Sequence, residues 1–364
     1  MKVLEITKPT LVINEATARA NIRKMAEKAR RSNVEFVPHF KTHQSREVGE
    51  WFRKEGVTKI TVSSVSMATY FANAGWNNIT IAFPLNLAEI DKIEQLASKI
   101  GLTLLVVDKS GVEKLSQIKS ALSIYIEIDA GYHRSGVECD NVTSIKEIIS
   151  SITATKHQFK GFYCHSGNSY YARSKAEVKH LYNEVQGKLT LLAQTFKEFK
   201  PQIAIGDTPT CSIVDEFEGV HSIHPGNFVY YDVTQTEIGS CSFEDISTTL
   251  LCPVVMKNKE RNELVIYGGG VHLSKEQLLL DGAVIYGLVS ESNGKNFVKP
   301  VSGTYLKSLS QEHGVISASK DFFERVQVGD IVSIIPVHSC MMVDCMQHAI
   351  TSEGKPISIM DKRN

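Results

Sequence analysis

The chain has 364 residues, enough for two or three domains or for one large α/β barrel with an appended domain. Lysine plus arginine equals aspartate plus glutamate, 40 against 40, so no overall field draws the chain to nucleic acid or to an anionic membrane. The expected partner is a small molecule. Seven cysteines, dispersed, odd in number and without CxxC spacing, argue against a disulfide framework and for a reducing compartment. Met1 to Pro9 carries scattered charges and no apolar leader core, and no run of about 18 apolar residues occurs, so the expectation is a soluble cytoplasmic protein.

Thr10 to Ile13 reads as a short apolar strand, and Asn14 as the N-cap of a helix over Glu15 to Arg31, where Ala18, Ile22, Met25 and Ala29 share one stripe. Strands are then predicted at Val34–Pro38, Lys59–Ser63, Asn78–Ala82, Thr103–Val107, Ser123–Asp129, Gly161–His165 and Gln202–Gly206, with an eighth unit over Ser222–Asp232. Helical patterns lie between most of them, at Gln44–Lys54, Ser64–Ala74, Leu87–Ile100, Gly111–Ser120, Asn141–Thr153 and Lys175–Lys200. Short apolar runs, each followed by an amphipathic helix, mark buried parallel strands, and about eight such units suit a closed (β/α)8 TIM barrel over residues 9–236.

The rhythm changes near Gln235. Strand-like runs follow at Thr248–Met256, Glu263–Tyr267, Ala283–Val289, Gly314–Ala318, Ile331–Ile335 and Ile357–Ile359, with turn signals at Ser292-Asn293-Gly294 and Ser352-Glu353-Gly354. Residues 237–364, with 1–8, are therefore expected to form a mainly β domain. No internal repeat is visible.

Polar clusters sit at the predicted strand ends, where parallel α/β proteins collect ligands. Lys41, between His39 and His43 in PHFKTH, could be an amine nucleophile if Phe40 and the histidines desolvate it, or a plain solvated lysine. Arg134 in DAGYHRSG offers a cation between glycines, and Tyr170 in HSGNSYY a ring and a hydroxyl. GDTPT and HPGN, containing Thr208, Thr210, Gly226 and Asn227, present hydroxyls and backbone N–H groups where many barrels hold a phosphate. Each of these could instead be an ordinary turn. In the second domain His338-Ser339-Cys340 follows a predicted strand, and if the extended conformation persists, imidazole and thiol share a face and suit zinc.

Taken in order, PHFKTH, DAGYHRSG, HSGNSY, GDTPT with HPGN, and a C-terminal HSC resemble the D-threonine aldolase and eukaryotic-type D-serine dehydratase family. These are metal-activated fold-type III pyridoxal phosphate enzymes with an alanine racemase-like barrel. The resemblance implies that Lys41 is the Schiff-base lysine and that Arg134 faces the cofactor's phenolic oxygen. It puts Tyr170 by the pyridine ring and Thr208, Thr210, Gly226 and Asn227 around the phosphate. His338 and Cys340 would bind a divalent metal, zinc first and manganese or magnesium otherwise.

The implied substrate is a β-hydroxy-D-amino acid and the implied assembly a homodimer. His224 stands where alanine racemases carry an arginine, and no tyrosine matches the racemases' second base, which disfavours racemisation. The His and Cys pair leans toward dehydration of D-serine, with retro-aldol cleavage of D-threonine as the alternative and a non-catalytic carrier less favoured. Lys41 would take the α-proton, and His43 or a metal-bound water is the candidate base for the aldol branch.

Overall fold

The computed structural model describes residues 6–292 and 297–361. It divides into two compact units, one of Arg23–Lys41 and Phe52–Gly226, the other of Met1–Ile22, Thr42–Trp51 and Asn227–Asn364.

The strand nearest the N-terminus is β1 (Thr10–Ile13), which does not enter the first unit's sheet. That sheet contains β2 (Glu35–Phe36), β3 (Ile60–Val62), β4 (Asn78–Pro84), β5 (Gly101–Val106), β6 (Ser123–Asp129), β8 (Gln158–Cys164), β9 (Gln202–Ile205) and β10 (Ser222–Ile223), in the order 2-10-9-8-6-5-4-3, with β7 (Val137–Glu138) paired to β6. All eight pair in parallel. Just beyond β2, Thr61 N donates to Pro38 O at 2.9 Å and Phe40 N to Thr61 O at 2.8 Å, so the two ends of the order meet at a bridge between His39 and Thr61. The predicted barrel is thereby closed. β6, buried along nearly its whole length, shows why such runs read as continuous apolar segments. Leu105, Tyr125, Tyr163 and Ala204 form a buried cluster, with Ala82 packed against it.

Two predicted barrel elements change character. The eighth unit, expected as a strand over Ser222–Asp232, keeps only β10; short helical turns follow at Asn227–Val229 and Val233–Ile238. GDTPT, expected as a turn, opens a helix over Thr208–Ile213. Aspartate explains both helices, because Asp207 and Asp232 each accept the backbone N–H three residues on and so cap them.

Phe40 fixes the turn that carries Lys41. It is fully buried, and its ring lies 4.9 Å from Phe52, 5.0 Å from Phe71 and 5.1 Å from Trp76. Phe40→Ala is expected to cost about 3–5 kcal/mol, read as a shifted urea midpoint with an unchanged slope.

The second unit is built on a mainly antiparallel sheet of β1 with β11 (Thr248–Asn258), β12 (Glu263–Tyr267), β15 (Gly287–Ser292), β16 (Phe297–Leu309), β17 (His313–Ser317), β18 (Ile331–Pro336), β19 (His348–Thr351) and β20 (Pro356–Ser358); β13 (Leu278–Leu280) and β14 (Ala283–Ile285) form a separate hairpin. The expected mainly β domain is present. β1 pairs antiparallel with β11 and parallel with β19, so Thr10–Ile13 is an interior strand here. β16 escapes sequence reading because Pro300 and Gly303 interrupt it, and register shifts against β15 and β17 absorb the irregularity. Of the predicted turn at Ser292-Asn293-Gly294, the last two residues lie outside the described ones. No helix among the described residues is long and apolar enough to cross a membrane.

Candidate active site

In the barrel unit the polar motifs gather at the C-terminal ends of the strands. Lys41 lies in the turn after the His39 bridge, exposed, with its backbone N–H donating to His39 Nδ1 at 3.3 Å. The expected desolvation by Phe40 is absent, because that ring is spent in the aromatic cluster. The charge of Lys41 is felt by His165. Burial, then the charges of Lys41 and Arg134, push the His165 pKa down to about 3, while Gly206 O, which accepts from Nδ1, acts the other way. His165 is therefore neutral, and Nε2 carries its lone pair.

Arg134 is presented by a shaped loop. The Asp129 carboxylate accepts from three successive backbone N–H groups, those of Gly131, Tyr132 and His133, at 2.8, 2.9 and 3.1 Å. Gly131 and Gly136, at φ +124° and +111°, supply the conformations that the reversal needs. The guanidinium then lies 5.2 Å from the centre of the Tyr132 ring. That ring occupies the place a side chain on residue 167 would take, since a Cβ there would run into it. The glycine of HSGN is thus required by the tyrosine of DAGY.

Tyr170 completes the arrangement. Its ring is 6.3 Å from that of His165, and its hydroxyl accepts from Thr208 N at 3.3 Å. Pro225 O accepts from His39 N at 2.8 Å, which holds Gly226 beside the Lys41 turn. Lys41, Arg134, Tyr170, Thr208 and Gly226 are brought together as expected. Two cations, aromatic faces and a hydroxyl beside backbone N–H groups form a donor set that fits a planar, anionic, phosphate-bearing ring.

Thr210 and Asn227 differ from their expected roles. The Thr210 N–H and hydroxyl both engage the buried Asp207 carboxylate, which leaves neither to donate to a phosphate. The Asn227 amide Nδ2 donates to Asp232 at 2.6 Å and to Ser339 Oγ at 3.1 Å, so only its backbone could serve a phosphate. His224 is a core residue, with Nδ1 2.6 Å from Thr61 Oγ1 and Nε2 2.9 Å from Ser222 Oγ.

The second unit carries the other cluster. His338 is extended at φ −137°, but the chain then turns helical over Ser339–Met346, because Met342 and Val343 are buried there; the expected extended continuation does not occur. The N-cap geometry still joins the pair, and the His338 and Cys340 side chains are hydrogen-bonded. Thr42, next in the chain after Lys41, has Oγ1 3.2 Å from Cys340 Sγ, and Asn227 Nδ2 donates to that sulfur at 3.5 Å. Asp232 accepts from Ser339 N at 3.0 Å. Burial alone would lower the His338 pKa, but Cys340, Asp232 and Glu276 raise it to about 9.

A place that holds an imidazolium so firmly favours a cation, and nitrogen and sulfur donors suit a divalent metal. Among the described residues no third histidine, cysteine or carboxylate closes on the pair, so such a metal would keep open positions. Thr42 and Asp232 were not legible as members of this cluster, because only the fold brings them to Cys340 and Ser339.

His43, the candidate base, is fully buried, and its Nδ1 accepts from Ser45 N at 3.1 Å. Burial pushes its pKa down to about 3, while the bond from Ser45 N acts the other way.

His43, His165 and His224 share this depression to about 3. The unfolded chain binds these protons near pH 6.5 and the folded one does not, so stability is lost as pH falls below 6.5 toward 3. Asp207, raised by burial to about 6, opposes this below pH 6 with one proton against three. The net expectation at pH 5 is a loss of about 2 kcal/mol per histidine relative to pH 7, partly offset by Asp207. Chemical denaturation across pH 5 to 7 measures it, and His224→Gln should flatten the slope.

The family model described as "Alanine racemase, N-terminal domain" matches residues 13–232, and one described as "Putative serine dehydratase domain" matches residues 247–352. A D-serine dehydratase of Dictyostelium discoideum is 29% identical over 96% of this chain and 95% of its own length. A D-threo-3-hydroxyaspartate dehydratase of Delftia sp. is 25% identical over 93% of this chain and 92% of its own. Its structure superposes with a TM-score of 0.90 at 24% identity, covering 98% of each chain. A cysteine-to-alanine variant of that enzyme, solved in a metal-free form, gives a TM-score of 0.91 at 23% identity and 98% coverage of both.

Proposed function

The chain belongs to the alanine racemase N-terminal domain family, and from that premise we propose that it is a pyridoxal phosphate- and metal-dependent lyase that converts D-serine to pyruvate and ammonia. The observation that carries the reading is the His338 and Cys340 pair beside Asp232, a cation-favouring donor set in addition to the lysine-bearing barrel mouth. The full-length similarity to a D-serine dehydratase supports the choice of substrate.

Bound pyridoxal phosphate would supply an electron sink for the substrate's α-carbon, and a bound divalent metal, zinc by its donors, a Lewis acid for the β-hydroxyl. The chain's residues do the rest. Lys41 Nζ would hold the cofactor and, as a free amine, would take the proton from Cα. The Arg134 guanidinium would hold the cofactor's phenolic oxygen, and Tyr170 would lie by its ring. Thr208 and the backbone at Gly226 and Asn227 would bind the phosphate. Neutral His165 accepts a hydrogen bond at Nε2 without adding a third positive charge. The α-proton and β-hydroxide leave as water, and hydrolysis of the resulting enamine returns that water and releases ammonia.

We further propose a homodimer as the working form, which the family resemblance implies, and a cytoplasmic location, which the dispersed cysteines favour. The deciding experiment incubates the enzyme separately with D-serine and D-threonine and assays oxoacid plus ammonia against glycine plus aldehyde. Oxoacid and ammonia are the expected dominant products. Glycine with aldehyde as the main outcome would overturn the dehydratase reading in favour of an aldolase.

A further inference from the structure

The proposed chemistry uses only the C-terminal ends of the barrel strands. At the opposite mouth, where β3, β4, β5, β6 and β8 begin, a cavity of about 350 Å³ opens, lined by Lys59, Lys156, Lys160, Asn78, Thr80 and Ser123 among others. Three ammonium groups around one cavity repel one another unless anions answer them.

The available carboxylates answer incompletely. Glu35 lies 2.6 Å from Lys59 and is half-exposed. Glu94 feels the charge of Lys156, but no ion pair within 4.0 Å joins them among the described residues. Lys160 has no carboxylate at that distance either. It is half-buried, with its ammonium 4.9 Å from the centre of the Tyr125 ring, which covers one side of the charge and leaves the rest to the cavity. Burial first, and then Lys59, lower its pKa, while Glu35 opposes. A bound anion would relieve both effects. Hydroxyl and amide groups around the wall can satisfy the remaining oxygens of such a ligand.

We propose that this N-terminal mouth of the barrel is a binding site for a small dianion with phosphoryl or carboxylate oxygens, held by Lys160, Lys156 and Lys59. The site is independent of the lyase reading.

Isothermal titration of the cofactor- and metal-loaded enzyme tests it, with inorganic phosphate and succinate as separate probes. Loading keeps phosphate out of the cofactor's own phosphate position. Expected is one saturable site per chain for at least one probe, weakened by about tenfold or more in Lys160→Gln. Binding should also weaken as salt rises. Lys156→Gln, an exposed position, is expected to weaken the same binding and serves if the Lys160 variant does not fold. The stronger probe identifies the oxyanion. Absence of saturable binding by both probes, or undiminished affinity in the variants, overturns the proposal.

Discussion

Lys41→Ala should lose turnover of D-serine by about a thousandfold or more and, in the same preparation, the visible absorbance of bound pyridoxal phosphate. The reasoning starts from the turn. His39 is bridged to Thr61 and Phe40 is buried among three aromatic rings, so the backbone of Lys41 is held from both neighbours. The side chain itself is exposed, so its removal leaves no cavity. A chemical defect without a stability defect is therefore expected. Comparing urea midpoints of Lys41→Ala and Phe40→Ala separates the two effects: the first should unfold like the parent, the second should not. If Lys41→Ala kept the absorbance and most of the turnover, the lysine would not be the cofactor's anchor.

Removing the metal should be nearly as costly. Chelation, or Cys340→Ala, is expected to lower turnover by about a hundredfold or more, the loss of several kcal/mol of charge stabilisation at the leaving hydroxyl. Zinc should restore the chelated parent but not the variant. The visible absorbance should persist throughout, because none of the groups proposed to hold the cofactor is a proposed metal ligand. Cys340→Ala also removes the partner that keeps His338 protonated, so the His338 pKa should fall from its raised value of about 9. Histidine proton resonances followed through a pH titration of the metal-free protein would show that fall. Full activity after exhaustive chelation is the result that would remove the metal from the proposal.

The barrel motifs were legible because each sits at the end of its own strand, and a parallel barrel brings strand ends to one rim. Lys41, Arg134, Tyr170 and Thr208 needed no further information to be grouped. What sequence could not show is which atoms are already committed. Thr210 spends its donors on Asp207, and Asn227 turns its amide to Asp232 and Ser339. Both commitments depend on buried aspartates whose capping role appears only once the helices are placed. His43 was one candidate base beside a metal-bound water; its complete burial, which lowers its pKa to about 3, is not visible in sequence. β1 was readable as a strand, but its partners lie in residues 248–251 and 349–351, beyond the reach of local pattern.

The position of β1 has a kinetic side. Thr10 pairs with Leu251 and Ile13 with Thr351, so a strand made early acquires its neighbours only after most of the chain exists. At ordinary synthesis rates of about 5–20 residues per second, its first partner emerges about 10–50 s later. For that interval an apolar strand, with both edges open, must be kept from pairing with another chain. Folding of this protein during synthesis should accordingly depend more on holding β1 unpaired until its late partners arrive than on the speed at which the barrel closes.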